Sequence, residues 1–181
     1  MSKSRERWVV KAGSSLVAGK DDGINKLFIK NLVLQVRQLL EEGIQVIIVS
    51  SGAVAKGMHE LNLNERPDSL NLLQAAAAIG QLGLIDSYKS EFSKFEIKTA
   101  QVLISHDDIA DRERYLNARN SLMTLLELGV VPIINENDSV SIEEISFGDN
   151  DTLAGAIVGL TDADKFIMLT DEQGVFSQNP K

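Results

Sequence analysis

Two short segments hold most of the side chains able to do chemistry. Asn135-Glu136-Asn137-Asp138 and, beginning ten residues after Asp138, Gly148-Asp149-Asn150-Asp151 concentrate carboxylates and carboxamides where a hydrophobic core has no use for them. Carboxylates accept hydrogen bonds from cations, and carboxamides both donate and accept, so the set suits a small polar molecule. A calcium loop and plain turn or capping duty are the rival readings. The spacing lacks the ligand ladder and terminal glutamate of an EF-hand, and turn duty alone does not call for flanking glycine and apolar strands. Val130 to Ile134 reads as a buried strand, so the polar residues emerge at a strand's C-terminal end, where open α/β sheets bind ligands.

Lys11-Ala12-Gly13-Ser14-Ser15 and Ser50-Ser51-Gly52-Ala53 are small-residue turns that follow the first two strands. Glycine lets backbone N–H groups approach an anion, lysine adds charge, and a helix N-terminus after Gly52 favours the same ligand. Each turn taken singly also reads as an ordinary strand-ending turn or an N-cap. Neither matches the P-loop or dinucleotide-fold glycine spacing. The run Asp107 to Arg114 reads as a solvated loop leading into a helix, and His106 as a loop or capping residue.

These turns need a scaffold of alternating strands and helices. Trp8 to Val10, Ile44 to Val49, Thr99 to Ile104, Val130 to Ile134 and Lys165 to Leu169 read as strands. Phe28 to Leu40, Ala53 to Leu61, Ser69 to Phe92, Arg114 to Leu128 and Thr152 to Leu160, the last capped by Asp151, read as helices. Ile142 to Phe147 reads as a small ribbon. The alternation predicts an α/β fold: a three-layer α/β/α sandwich around a mainly parallel sheet. No further helix follows the last strand before Lys181, so the domain is expected to be incomplete at its C-terminus.

The 181 residues, 44% of them apolar, contain no linker-like tract and fit a single domain. A net charge of −8 argues against a general nucleic-acid surface. With no cysteine, disulfides and thiolate metal sites are excluded, and His59 and His106 lie too far apart to suggest a zinc pair. The charged N-terminus leads into only a short apolar run, so neither a signal peptide nor a membrane span is expected and the chain is placed in the cytoplasm.

Several segments occur together in one order: Lys11 to Ser15, Ser50 to Val54, Ala78-Ile79-Gly80-Gln81, Asp111 to Arg119, Asn135 to Asp138, Gly148 to Asp151 and Leu169-Thr170-Asp171. In these the chain resembles the glutamate 5-kinases of the amino acid kinase family over nearly its whole length. The two turns are shared widely in that family, whereas the asparagine-rich and Gly-Asp-Asn-Asp segments are specific to the glutamate kinases. The resemblance implies that residues 1–181 form the N-terminal part of a catalytic domain. Its C-terminal nucleotide-binding part, a second catalytic lysine and the PUA domain of many members would lie outside this chain, which is then expected to be inactive alone. Leu73 stands before Gln74 where the family commonly has lysine.

The implied activity is ATP-dependent phosphorylation of the γ-carboxylate of L-glutamate, the first step of proline biosynthesis, with Mg²⁺ sharing the phosphate charge. Lys11 and Asp151 match the family's catalytic positions, the aspartate orienting the lysine. Ser51, Gly52, Asn135, Asp138, Asp149 and Asn150 match the glutamate pocket. Lys11, Gly13, Thr170 and Asp171 match nucleotide contacts, and no residue is assigned to the metal. The resemblance also implies proline as a candidate feedback inhibitor and a homo-oligomer, dimer or tetramer, in which the Leu70 to Leu84 helix serves either a subunit contact or the core. Another amino acid kinase and a non-catalytic glutamate- or proline-binding fragment are the alternatives.

Overall fold

A computed structural model describes residues 5–19, 21–140 and 150–171. The runs of β-branched residues become strands because their side chains are buried on both faces: Val9, Val10, Val46 to Val49, Ile133 and Ile134 are all within a few per cent of zero exposure. In chain order the elements are β1 (Arg7–Ala12), α1 (Ser14–Val17), β2 (Ala18–Gly19), β3 (Gly23–Ile24), α2 (Lys26–Glu41), β4 (Gln45–Ser50), α3 (Ala53–Glu60) and α4 (Leu70–Ser93). They continue with β5 (Thr99–Ile104), α5 (His106–Ala110), α6 (Arg112–Glu127), β6 (Val131–Glu136), α7 (Asp151–Thr161) and β7 (Lys165–Leu169).

Five strands make one sheet in the order β5-β6-β4-β1-β7, every pair parallel. Strand alternation sorts the apolar side chains into two cores. Val10, Ala12, Val46, Ile48, Val131 and Ile133 pack with α2 and α4 on one face, and Val9, Ile47, Val49, Ile104 and Ile134 pack with α6 and α7 on the other. The expected three-layer α/β/α sandwich is therefore the observed architecture. The connection leaving β4 runs through α3 and α4 over one face and that leaving β6 through α7 over the opposite face, so a crevice opens between them at the strands' C-terminal ends.

Three details differ from the sequence reading. β6 runs two residues further than expected and carries Asn135 and Glu136 within the strand, where parallel pairing to Leu103 and Ile104 holds them. Asp151 is the first residue of α7 and not its cap; Asn150 takes the N-cap position, and its side chain makes no capping bond. The charge run forms two helices, because Ser105 and Asp108 make a reciprocal capping box that starts α5 and Asp111 accepts from the Arg114 amide to start α6. Residues 142–147, read as a ribbon, lie outside the described residues.

α3 and α4 approach so closely that side chains are excluded between them. A Cβ on Gly57 would stand 1.7 Å from the Ala76 carbonyl oxygen, and one on Gly80 would stand 2.0 Å from the Ala53 carbonyl oxygen. Glycine inside a helix costs about 1 kcal/mol relative to alanine, a cost offset here by backbone contact that fixes α4 over the end of β4. The outward face of α4 keeps Leu72, Ile79 and Leu82 exposed, while Leu73, Ala76, Ala77 and Leu84 are buried. Because the obstacle is backbone, Gly80→Ala is expected to lower unfolding free energy by about 1–3 kcal/mol or more, as read by urea denaturation. A neutral or stabilising result, the usual helix-propensity outcome, would contradict this packing.

Candidate active site

The site grows from four strand ends. On β1, Lys11 points to the same face as Val9, is 8% exposed, and forms an ion pair with Asp151 in the first turn of α7. Gly13 donates its amide to the Leu169 carbonyl at 3.2 Å, and a Cβ there would stand 3.3 Å from that oxygen and 3.7 Å from Lys11 Nζ. The Gly13 amide is thus committed to the sheet. Ser14 and Ser15 open the short helix α1, so their first-turn N–H groups have no intrahelical partners. Ser15 Oγ donates to Asp171 Oδ1 at 2.8 Å, tying the turn after β1 to the exposed Thr170-Asp171 loop after β7.

On β4 the alternation sends Ser50 and Ser51 to opposite faces. Ser50 Oγ lies 3.0 Å from Tyr88 Oη of α4, a fully buried phenol whose pKa burial pushes up to about 12. Ser51 donates its amide to the Ala12 carbonyl at 3.2 Å. Gly52 follows with φ +110°, and a Cβ there would meet Val17 Cγ1 at 2.9 Å, so only glycine serves at the N-cap of α3.

Asn150 ties these ends together. Its Nδ2 lies 3.1 Å from the Ser50 carbonyl, 3.0 Å from Ser51 Oγ and 2.8 Å from Asn135 Oδ1. A carbonyl only accepts, so this nitrogen must face Ser50; Asn135 must then present its oxygen, and its own Nδ2 donates to Gln81 Oε1 at 2.8 Å. The direction of every amide in the chain Asn150-Asn135-Gln81 follows from that one backbone carbonyl. Two atoms are left over, Asn150 Oδ1 and Gln81 Nε2, buried and without a hydrogen-bond partner among the described residues.

Asp138 sits just beyond β6, 5% exposed, and its Oδ1 is a third buried atom without a hydrogen-bond partner among the described residues. Burial, reinforced by the neighbouring Glu136 carboxylate and opposed by Arg66, pushes its pKa up to about 7. Glu136, Asp138 and Gln81 line a cavity of about 260 Å³ bounded by Leu103 of β5 and Ala77 of α4. Lys11, Ser51, Gly52, Asn135, Asp138, Asn150 and Asp151 thus gather at one edge of the sheet, with Gly13, Thr170 and Asp171 on its β7 side. Asp149 lies outside the described residues. Gln81, Ser50 and Glu136, named from the sequence only as members of their segments and given no role of their own, belong to the same constellation, as does Tyr88, which was not named. The available signal was Gln81 itself, a lone amide on the apolar helix face that also carries Ala77 and Leu84.

Among the described residues no group of three or more His, Cys, Asp or Glu is placed to hold a metal ion, and no helix is long and apolar enough to cross a membrane. The model of the amino acid kinase family matches residues 6–181. The chain belongs to the amino acid kinase family. It is 54% identical over 179 residues to a glutamate 5-kinase of Hydrogenovibrio crunogenus (strain DSM 25203 / XCL-2), covering 99% of this chain and 47% of that protein. It is 50% identical over 177 residues to a glutamate 5-kinase of Alcanivorax borkumensis (98% and 47% covered) and 53% identical over 175 residues to one of Paraburkholderia phymatum (97% and 47% covered). The chain therefore spans about half the length of these curated relatives.

The raised pKa of Asp138 makes the unliganded fold pH-sensitive. Its contribution to stability is complete below its unfolded value of 3.8 and is lost as pH rises through about 7, because the buried group must then ionise. Asp138→Asn removes that titration. The variant is expected to gain in melting temperature relative to the parent as pH is raised from 4 to 8; a constant difference would contradict the assignment.

Proposed function

We propose that this chain binds L-glutamate with its γ-carboxylate toward Lys11, for phosphorylation by ATP to γ-glutamyl phosphate, the step that begins proline synthesis in the cytoplasm. The observation that carries the reading is the separation of sign along one sheet edge. A buried cation, Lys11, lies at β1, and buried acceptors without a hydrogen-bond partner among the described residues, Asp138 Oδ1 and Asn150 Oδ1, lie beside β6. β1 and β6 flank β4, so the two ends are about 10 Å apart at the usual strand spacing. That span suits an amino acid whose ammonium group meets Asp138 while its side-chain carboxylate reaches the turn of Ser51 and Gly52.

In the proposed step a γ-carboxylate oxygen forms a bond to the γ-phosphorus of ATP as the bond from that phosphorus to the bridging oxygen of ADP breaks. ATP supplies the phosphoryl group, and Mg²⁺ accompanies its phosphates. Lys11 offsets charge on the transferring oxygens, and Asp151 holds the lysine toward them. Ser51 Oγ, which accepts from Asn150, keeps its own proton for the reacting carboxylate. Thr170 and the Asp171–Ser15 pair are suited to the nucleotide side. Proline, another α-amino acid, would compete at the ammonium end. A second copy of the chain would pack on the exposed Ile79 and Leu82 face of α4.

An N-acetylated glutamate is the less suitable substrate, since its blocked nitrogen offers no cation to Asp138. The direct test is calorimetric titration with L-glutamate: saturable binding is expected, and its absence at millimolar concentration would overturn the reading. In a full-length version Lys11→Ala is expected to lower phosphoryl transfer by roughly 10²–10³-fold or more with glutamate affinity changed little; equal loss of both would contradict the role. Protonation of Asp138 competes with its ammonium partner, so glutamate affinity should fall by up to about tenfold per pH unit below about 7 and level off above it. Asp138→Asn should bind weakly at every pH, and a parent profile flat from pH 5.5 to 8 would contradict the pairing.

A further inference from the structure

The atom left over at the far end of the amide chain is a donor. Gln81 Nε2 has no hydrogen-bond partner among the described residues, and Gln81 is 8% exposed, on the wall of the cavity that also holds Asp138. Its orientation is not free. The Ser50 carbonyl fixes Asn150, Asn150 fixes Asn135, and Asn135 Nδ2 holds Gln81 Oε1 at 2.8 Å, so the nitrogen is the atom turned away from the chain. The backbone beneath it is equally fixed, since the preceding residue, Gly80, is seated against the Ala53 carbonyl. Leaving a buried N–H unpaired is costly, so a donor locked in this way is matched to an acceptor that arrives with a ligand.

We infer that Gln81 is a specificity-determining residue whose Nε2 donates to the α-carboxylate of the amino-acid substrate. This rests on the glutamate reading above and assigns a group that it left without a partner. Asp138 and Asn150 present only acceptors at this end, Oδ1 in each case. They serve the ammonium group and would repel the carboxylate bonded to the same carbon. Gln81 supplies the donor of opposite sense within the same cavity, so an α-ammonium and an α-carboxylate are read together. The γ-carboxylate, at the Ser51-Gly52 turn on the Lys11 side of the site, is left to other partners.

The test is a comparison of ligands on the protein at its natural length. L-Glutamate is set against 4-aminobutanoate, which lacks the α-carboxylate, and against L-isoglutamine, which carries an α-carboxamide in its place. Gln81→Met should weaken L-glutamate roughly 10- to 100-fold and leave 4-aminobutanoate within a few-fold of the parent. Gln81→Glu keeps an oxygen for Asn135 but turns an acceptor into the cavity. It should invert the preference, weakening L-glutamate while L-isoglutamine binds as well as to the parent or better. Equal losses for all ligands, or no loss of L-glutamate with Gln81→Met, would overturn the inference, with thermal melts showing that both variants fold. If the parent binds none of the three, the glutamate reading itself fails. If the parent binds L-glutamate and the variants show no discrimination, only the role of Gln81 fails.

Discussion

The carbonyl of Ser50 is the constraint on which the rest of the site depends. It lies at the end of a central strand, and the group that reaches it is Asn150 Nδ2, the side chain of the residue that opens α7. A carbonyl admits donors only, so the contact has one polarity, and that polarity passes outward through Asn135 to Gln81. The same contact seats the first turn of α7 over the sheet, which brings Asp151 onto Lys11. Asn150 makes no capping bond of its own. A capping hydrogen bond is worth about 1 kcal/mol, and in its place the side chain joins α7 to two strands and, through Asn135, to α4.

Such an arrangement is expensive in the absence of a ligand. Two acceptors and a donor are buried without hydrogen-bond partners among the described residues, and a carboxylate is held where ionisation is disfavoured. Two apolar cores, one on each face of the sheet, supply the compensation. Rigidity comes from close backbone approach, α4 on α3 through Gly57 and Gly80 and α3 beside α1 through Gly52. Glycine is required at these points because backbone or the rigid Val17 side chain occupies the space a Cβ would need. The small residues of α4 are thus part of the site's construction, although only Gln81 among them reaches the cavity with a polar atom.

Much of this was legible in the sequence, for physical reasons that also explain what was not. The strands stood out because residues buried on both faces must be apolar and β-branched, and the turns because Gly and Ser following a strand end it. The polar cluster was visible because carboxylates and carboxamides beside such strands have no structural excuse. The cap of α7 was misassigned because Asp and Asn are both good capping residues; which one takes the cap position was decided by a partner about a hundred positions away in the chain, Ser50. Gln81 drew no role for a related reason. One amide on an apolar helix face reads as a tolerated core residue until the partner atoms Asn135 Nδ2 and Oδ1 show which way it must point. The two-residue strands β2 and β3 carry no periodic pattern to detect.

The order of strands turns these local facts into a direction. With β1 beside β4 and β4 beside β6, the cationic turn and the acceptor-rich end cannot be exchanged or brought into contact, because β4 stands between them. It ends at Ser50, which faces Tyr88, and is followed by Ser51, which faces Asn150, so the middle of the edge is neutral and rich in hydroxyl groups. On the proposed reading, a carboxylate crossing that middle region leaves the repulsion of Asp138 behind and passes hydroxyl and amide groups before it meets the Lys11–Asp151 pair. Polarity along the edge therefore sets, on that reading, which end of the substrate faces the lysine, and the strand order fixes that polarity. Two cations at the edge, or two acceptor clusters, would bind a charged amino acid in either sense, whereas the single gradient from β6 to β1 leaves only one orientation without like charges in contact.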